Sequence, residues 1–395
     1  VKLGIEVLAA APQAAHAWGR CALLCNQASV TQSFKSSWDL LRDLLGSKLV
    51  AFFGPQHGFH ATVQDNMIET GHHHGGPFGL PIYSLYSETR EPKPEMLDGI
   101  DTIIVDLQIV GCRVYTFKYT IAGCLRMAKK LGKRVVVLDR PNPLGGEAME
   151  GRVLDVGARS FVGEYAIPLR HGLSVAESAR FFNGEIGADL QVIPMEGWNP
   201  AAYWGEYYKH WILTSPNLPT IDPVYAYPAT VMLEGTNLSE GRGTGLPFQF
   251  VGAPYIKDGE QYASRVLDYY RSAGFHLRPA EFQPTSQKWA GEVCRGFQIH
   301  VLDPRQLHTF PLGLAIMRAA MDLAPQGFAW KQPPYEYDYV NLPIDLILGH
   351  LKAHVHMDQN FSIKDRFWVE GLAEYQKKAA EVLMYARGLK PMIIE

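Results

Sequence analysis

Residues 101–140 read DTIIVDLQIVGCRVYTFKYTIAGCLRMAKKLGKRVVVLDR. The run 102–105 is apolar and stops at Asp106. Apolar residues then recur at helical spacing over 120–131, until Gly132 breaks the pattern. A second apolar run, 135–138, ends at Asp139 and Arg140. Neither run alternates polar with apolar residues, as strands covered on both faces should not. Two such strands joined through a helix form a parallel βαβ unit.

The same punctuation repeats upstream. CALLCNQAS (21–29) is a short apolar run, and SSWDLLRDLLG (36–46) has helical spacing with a glycine stop. KLVAFFGPQHG (48–58) is a strand running into a turn, LPIYSLY (80–86) a short strand, and KPEMLDGI (93–100) a short helix. Polar residues gather where these strands end: Asn26, Gln56 with His57, Asp106 with Gln108, and Asp139 with Arg140 and Asn142. In open α/β sheets that edge binds ligands. No GxGxxG follows the first strand and no GxxxxGK[ST] occurs, so nucleotide-dependent chemistry on this Rossmann-like frame loses support.

The texture changes near residue 160. SVAESARFFNGEIG (174–187) predicts a helix with Ser174 as N-cap and Glu177 closing a capping box. ADLQVIPMEGW (188–198) reads as a strand. A long segment rich in Pro, Asn, Gly and Tyr follows over 198–254, and loops of that length are usually functional or not really structureless. Helix candidates and the strand RGFQIHVLD (295–303) fill the rest. The expected architecture is a Rossmann-like α/β domain over 1–155 and a second α/β (α+β) domain over 156–395, with a cleft between them.

At 395 residues and 47% hydrophobic, the chain has material for about two domains. A net charge of −3 without cationic clusters gives no case for nucleic acid. No stretch approaches the ~20 apolar residues of a membrane span. No hydrophobic leader opens the chain at Val1, where one could have been removed. Five cysteines, mostly inside apolar runs, read as buried free thiols.

Three loops hold most of the candidate chemistry. FGPQHG with HATVQDNMIETGHHHGG (60–76) supplies Gln56, His57, Asp65 and Glu69. DLQIVGCRVYTF (106–117) supplies Asp106, Gln108, Arg113 and Tyr115. The segment 215–248 supplies Asn217, Glu234, Asn237, Glu240 and Arg242. A metal site from His57, His60 and His72 to His74 is rejected, because adjacent loop histidines cannot all face one ion. No GxSxG elbow marks a nucleophile. Carboxylates, amides, arginines and aromatics together suit a sugar: amides take hydroxyls, aromatics stack on ring faces, and Arg holds an acidic substituent. Structural readings stand beside these. Asp106 could cap a loop, Asp139 and Arg140 could pair with each other, the charges of 234–242 could neutralise one another, and His171 could brace the helix that follows it.

The motifs FGPQHG, DLQIVGCRVYTF, VLDRPNPLGG, SFVGEYAIPLRHGLSVAESA, SPNLPT and LEGTNLSEGRGT keep their order over 4–254. In this they resemble the DUF1343 family, which includes exo-β-N-acetylmuramidases of peptidoglycan recycling. The resemblance implies two α/β domains around a cleft, release of N-acetylmuramic acid from non-reducing ends of cell-wall sugars or muropeptides, and no cofactor. Muramidase members carry Glu at the position of Gln56, and Asp at that of Ile109 inside a DLQDVG-like motif. An amide does not titrate near neutral pH, so Gln56 cannot itself donate a proton. The donor would then be Asp65, Glu69, Asp106, Glu234 or Glu240, with Arg113, Arg140 or Arg242 holding a substrate carboxylate. The other reading is a non-catalytic, sugar-binding or scaffold member that keeps the cleft.

Overall fold

The computed structural model describes residues 1–65, 67–359 and 361–392. Eleven strands lie among them: β1 (Cys21–Cys25), β2 (Leu49–Gly54), β3 (Ile82–Ser84), β4 (Thr102–Asp106), β5 (Arg134–Leu138), β6 (Ala148–Met149), β7 (Asp189–Ile193), β8 (Phe250–Ala253), β9 (Phe275–Phe282), β10 (Cys294–Val301) and β11 (Lys390–Pro391). Six form one sheet in the order β3-β2-β1-β4-β5-β7. All neighbours in it are parallel. β1 and β4 are buried along their whole length, as their unbroken apolar runs require.

Local signals set the helices that cover this sheet. Ser36 accepts a hydrogen bond from the Asp39 amide at the start of Ser37–Leu45. Gly132, at φ 63°, ends Phe117–Leu131 in a left-handed cap. The capping box of Ser174 and Glu177 opens Val175–Ile186. KPEMLDGI forms only the 3-10 turn Pro94–Leu97. The sheet also extends past residue 155, the boundary expected from the change of texture. Parallel neighbours need a long crossover, and Val175–Ile186 carries the chain back so that β7 pairs along β5.

The second domain holds an antiparallel sheet, β8-β10-β9, against which Gly259–Tyr269 packs, and Thr309–Leu323 packs on that helix in turn. The segment 198–254 is largely structured, with helices Trp204–Tyr207 and Ile221–Thr230 and a 3-10 turn Val231–Gly235. β11 pairs with β6, so the last described residues return to the first half of the chain. All five cysteines are buried and free. Among the described residues no helix is long and apolar enough to cross a membrane.

The strand order reverses between β1 and β4, with β2 and β3 on one side and β5 and β7 on the other. Two cavities open at the carboxyl edge of this sheet. One follows β2 and faces the second domain; the other lies over the reversal point.

Candidate active site

β2 ends at Gly54, and the turn Pro55-Gln56-His57-Gly58 carries the chain across the sheet edge. Gln56 is buried, and both ends of its amide are engaged. Thr116, at the start of the helix after β4, donates from its Oγ1 to Gln56 Oε1 at 2.5 Å. Gln56 Nε2 in turn donates to Glu336 Oε1 at 3.0 Å, and Tyr86 donates from its hydroxyl to Glu336 Oε2 at 2.8 Å. The residue that cannot titrate therefore orients one that can.

Glu336 sits in a tight turn, PPYEYDY (333–339), in which Tyr335 and Asp338 exchange backbone hydrogen bonds of 2.9 and 3.0 Å. Glu336 and Tyr337 have φ of 46° and 68°. Left-handed backbone costs a residue with a Cβ about 1–2 kcal/mol, so the surrounding contacts must hold it there. Arg90 helps from behind, its guanidinium 4.0 Å from the Tyr337 ring centre and 4.5 Å from that of Tyr86. Burial raises the Glu336 carboxyl above its usual range. The Tyr86 and Gln56 donors and Arg242 pull it down, while the Glu234 charge pushes it further up.

Glu234 lines the same cavity from Val231–Gly235. It pairs with Arg242 and accepts from the Tyr335 hydroxyl at 2.7 Å. Arg242 also lies 3.7 Å from Glu240, which binds Lys288 at 2.9 Å. Burial would raise Glu240, but Lys288 and Arg242 hold it below the usual carboxylate range. Glu240 is thus an ion-pair partner standing behind the cavity wall.

His57, at φ 69°, meets the Val63 carbonyl through Nδ1 at 2.7 Å. Burial lowers its pKa to about 4, so the ring is neutral at pH 7. A carbonyl only accepts, so Nδ1 carries the proton and Nε2 is left as an acceptor on a cavity-lining ring. Tyr115 and Asn217 line the cavity too, Tyr115 donating to Thr214 Oγ1 at 2.7 Å and Asn217 to the Gln64 carbonyl at 3.3 Å.

The remaining candidates lie elsewhere. Asp106 is fully buried and holds Arg140 through two bonds of 2.5 and 2.8 Å, with the Ser37 hydroxyl on the same carboxylate. Asp139 does not pair with the Arg140 guanidinium; it accepts from the Arg140 and Ala176 amides and from the hydroxyls of Ser174 and Tyr385. Asn142 bridges the Leu173 carbonyl and the Leu144 amide, and Asn26 ties the Thr214 carbonyl to the turn after β1. Arg113 is fully buried and donates to the carbonyls of Arg152, Ile167 and Ile347, which join the two domains. His171 is buried and accepts from the Leu173 amide. Asn237 clamps the Gly327 and Ala329 backbone. Glu69 is exposed beside Arg90 at 3.8 Å, and Asp65 accepts from Gln287. Gln108 belongs to the second cavity. Ile109, where muramidase members are expected to carry Asp, lies in the apolar core.

Of the sequence candidates, the structure therefore gathers Gln56, His57, Tyr115, Asn217, Glu234 and Arg242 around one cavity. It adds Glu336, Thr116 and Tyr335 to that lining, with Tyr86 bonded to Glu336, and sequence reasoning missed all four. The available signal was the carboxylate between tyrosines after two prolines in PPYEYDY. Among the described residues no group of three or more His, Cys, Asp or Glu side chains is placed to hold a metal ion.

Residues 21–222 match the family described as exo-beta-N-acetylmuramidase NamZ, N-terminal, and residues 225–385 match its C-terminal counterpart. The chain is 42% identical over 311 residues to the peptidoglycan beta-N-acetylmuramidase NamZ of Bacillus subtilis (strain 168), covering 78% of this chain and 74% of that protein. Two crystal structures of DUF1343 family proteins from Bacteroides fragilis NCTC 9343 are similar. One has a TM-score of 0.86 at 29% identity, the other 0.73 at 25%; each comparison covers 97% of this chain and 98% of the other.

Proposed function

The chain belongs to the exo-β-N-acetylmuramidase NamZ family, and from that premise we propose that it hydrolyses peptidoglycan-derived amino sugars, releasing N-acetylmuramic acid, with Glu336 as the proton donor. One observation carries the assignment of the donor: Glu336 is a buried carboxyl with a raised pKa, fixed by Gln56 and Tyr86 at the end of β2. A glycosidic oxygen leaves readily only if protonated, and a carboxyl that burial makes a weaker acid than an exposed one is suited to that step. The Glu234 carboxylate, paired with Arg242 in the same cavity, supplies negative charge that favours an oxocarbenium-like transition state. His57 Nε2 is an acceptor for a sugar hydroxyl or the attacking water. The free space at Gln56 is small, about 30 Å³.

The test is release of chromophore from a β-N-acetylmuraminide and of N-acetylmuramic acid from muropeptides. Glu336→Gln keeps the shape and an acceptor oxygen for Gln56 Nε2, with its NH2 turned to the Tyr86 hydroxyl, so it should lower kcat by about 10²- to 10⁴-fold with a smaller change in KM. Full activity in that variant removes Glu336 as the donor. The second reading, a sugar-binding member without catalysis, is favoured by the amide at Gln56 and the aliphatic Ile109. An inactive wild type with an active Gln56→Glu variant would establish it.

A further inference from the structure

The cavity over the strand-order reversal is larger than the one at Gln56 and has a different chemistry. It measures about 360 Å³, within the range of small-molecule sites. Its floor comes from the turns after three strands: Val30 beyond β1, Gln108 beyond β4 and Arg140 beyond β5. Its roof is the segment 204–212, with Trp204, Tyr208 and Lys209. The stretch Leu213 to Ser215 separates it from the Gln56 cavity. That wall is pinned to the sheet edge by Gln27 on the Leu213 carbonyl, Asn26 on the Thr214 carbonyl and Tyr115 on the Thr214 hydroxyl.

Three lining side chains keep unused bonding capacity. Gln108 donates both Nε2 hydrogens, to the Ile109 and Pro141 carbonyls at 2.8 Å each, which fixes the amide orientation. Its Oε1 is buried with no partner. The Tyr208 hydroxyl is likewise buried and unpartnered. Arg140 spends Nε and Nη2 on Asp106 and the Val30 carbonyl, which leaves Nη1 without a hydrogen bond. A buried polar atom without a partner costs about 1–3 kcal/mol, and a ligand that supplies the partner recovers it. The lining carries Arg140 and Lys209 and no carboxylate. Aromatic walls favour the apolar face of a ring.

We propose that this cavity is a second ligand site, distinct from the hydrolytic one, for a sugar that carries a carboxylate. The ring lies against Trp204, a ring hydroxyl donates to Gln108 Oε1, and the carboxylate is held by Arg140 Nη1 and Lys209. N-acetylmuramic acid, with its lactyl carboxylate, is the probe; choosing it rests on the muramidase reading, while the cavity chemistry stands without it.

Calorimetric titration with N-acetylmuramic acid tests this, with N-acetylglucosamine as the same ring lacking the carboxylate. The expected result is a binding event that persists in Glu336→Gln. It should be about tenfold or more weaker with N-acetylglucosamine and in Lys209→Ala, because one charge-assisted contact is lost. Lys209 is exposed, so that variant should fold, and Gln108→Leu gives a second reading of the same site. Turnover of the chromogenic substrate should stay within about twofold in both variants. Absence of binding, equal affinity for both sugars, or equal affinity in wild type and Lys209→Ala overturns the proposal. If binding follows the expected pattern but wild type turns over nothing, only the hydrolase reading fails. If turnover is normal without this binding, only the second site fails.

Discussion

Gln56 cannot donate a proton, yet its two hydrogen bonds fix the carboxyl that can. On the proposed assignment the titrating group stands opposite the amide, on Glu336. The sign of the pH dependence follows. A proton donor works while protonated, so activity falls as pH rises through the Glu336 pKa, which burial has raised. The Tyr86 hydroxyl stabilises the ionised carboxylate and pulls that pKa down. Tyr86→Phe removes the donor, so the basic limb of the kcat/KM profile should move to higher pH. A positioning role for Tyr86 unconnected with Glu336 would lower the plateau and leave the limb in place. Comparing the two profiles over pH 5–9 decides between them.

Elements that repeat a local rule were legible in the sequence, and those that break one were not. β1, β4 and β5 announced themselves because buried parallel strands are continuously apolar. β9 was hidden by Pro279, which the fold tolerates because β9 lies at the edge of its sheet. Ile221–Thr230 was hidden by Pro223 and Pro228, and packing against Thr309–Leu323 overrides their low helix propensity. The site divides in the same way. Gln56 stood out at a strand end, whereas Glu336 lies 280 residues away in an irregular turn that only tertiary contact brings to it. Asp106 and Asp139 stood at strand ends too, but there they brace Arg140 and the start of Val175–Ile186. That helix start gives a direct test of the local reasoning. Ser174 accepts from the Glu177 amide and also donates to Asp139 at 2.9 Å. Ser174→Ala loses both bonds at a buried position and should cost about 1–3 kcal/mol, read as a lower denaturation midpoint at unchanged slope. A loss below about 0.5 kcal/mol would mean the box contributes no more than an exposed cap.

At the scale of the molecule, the end of the chain is a strap that closes the structure on itself. β11 lies along β6, the Tyr385 hydroxyl bonds Asp139, and the Met384 amide donates to Glu177. Arg387 completes this docking. Its side chain is almost fully buried and binds Glu177 through two nitrogens, at 2.8 and 2.5 Å, while also donating to the Gly146 and Gly172 carbonyls. Bidentate geometry and satisfied remaining donors are the conditions under which such a pair repays its desolvation. Removing one partner leaves the other charge buried, and the cost is then about 3–5 kcal/mol. Glu177 also closes the capping box on Ser174, so the loss should reach the helix that carries the chain from β5 to β7. Arg387→Met keeps the apolar stem and should lower the unfolding midpoint accordingly in a denaturant titration. Arg387 lines neither cavity, so kcat/KM well below the melting range should stay within about twofold of wild type. A variant as stable as wild type would mean that the strap merely covers the first domain. A stable variant with lost turnover would instead tie the strap to the cleft.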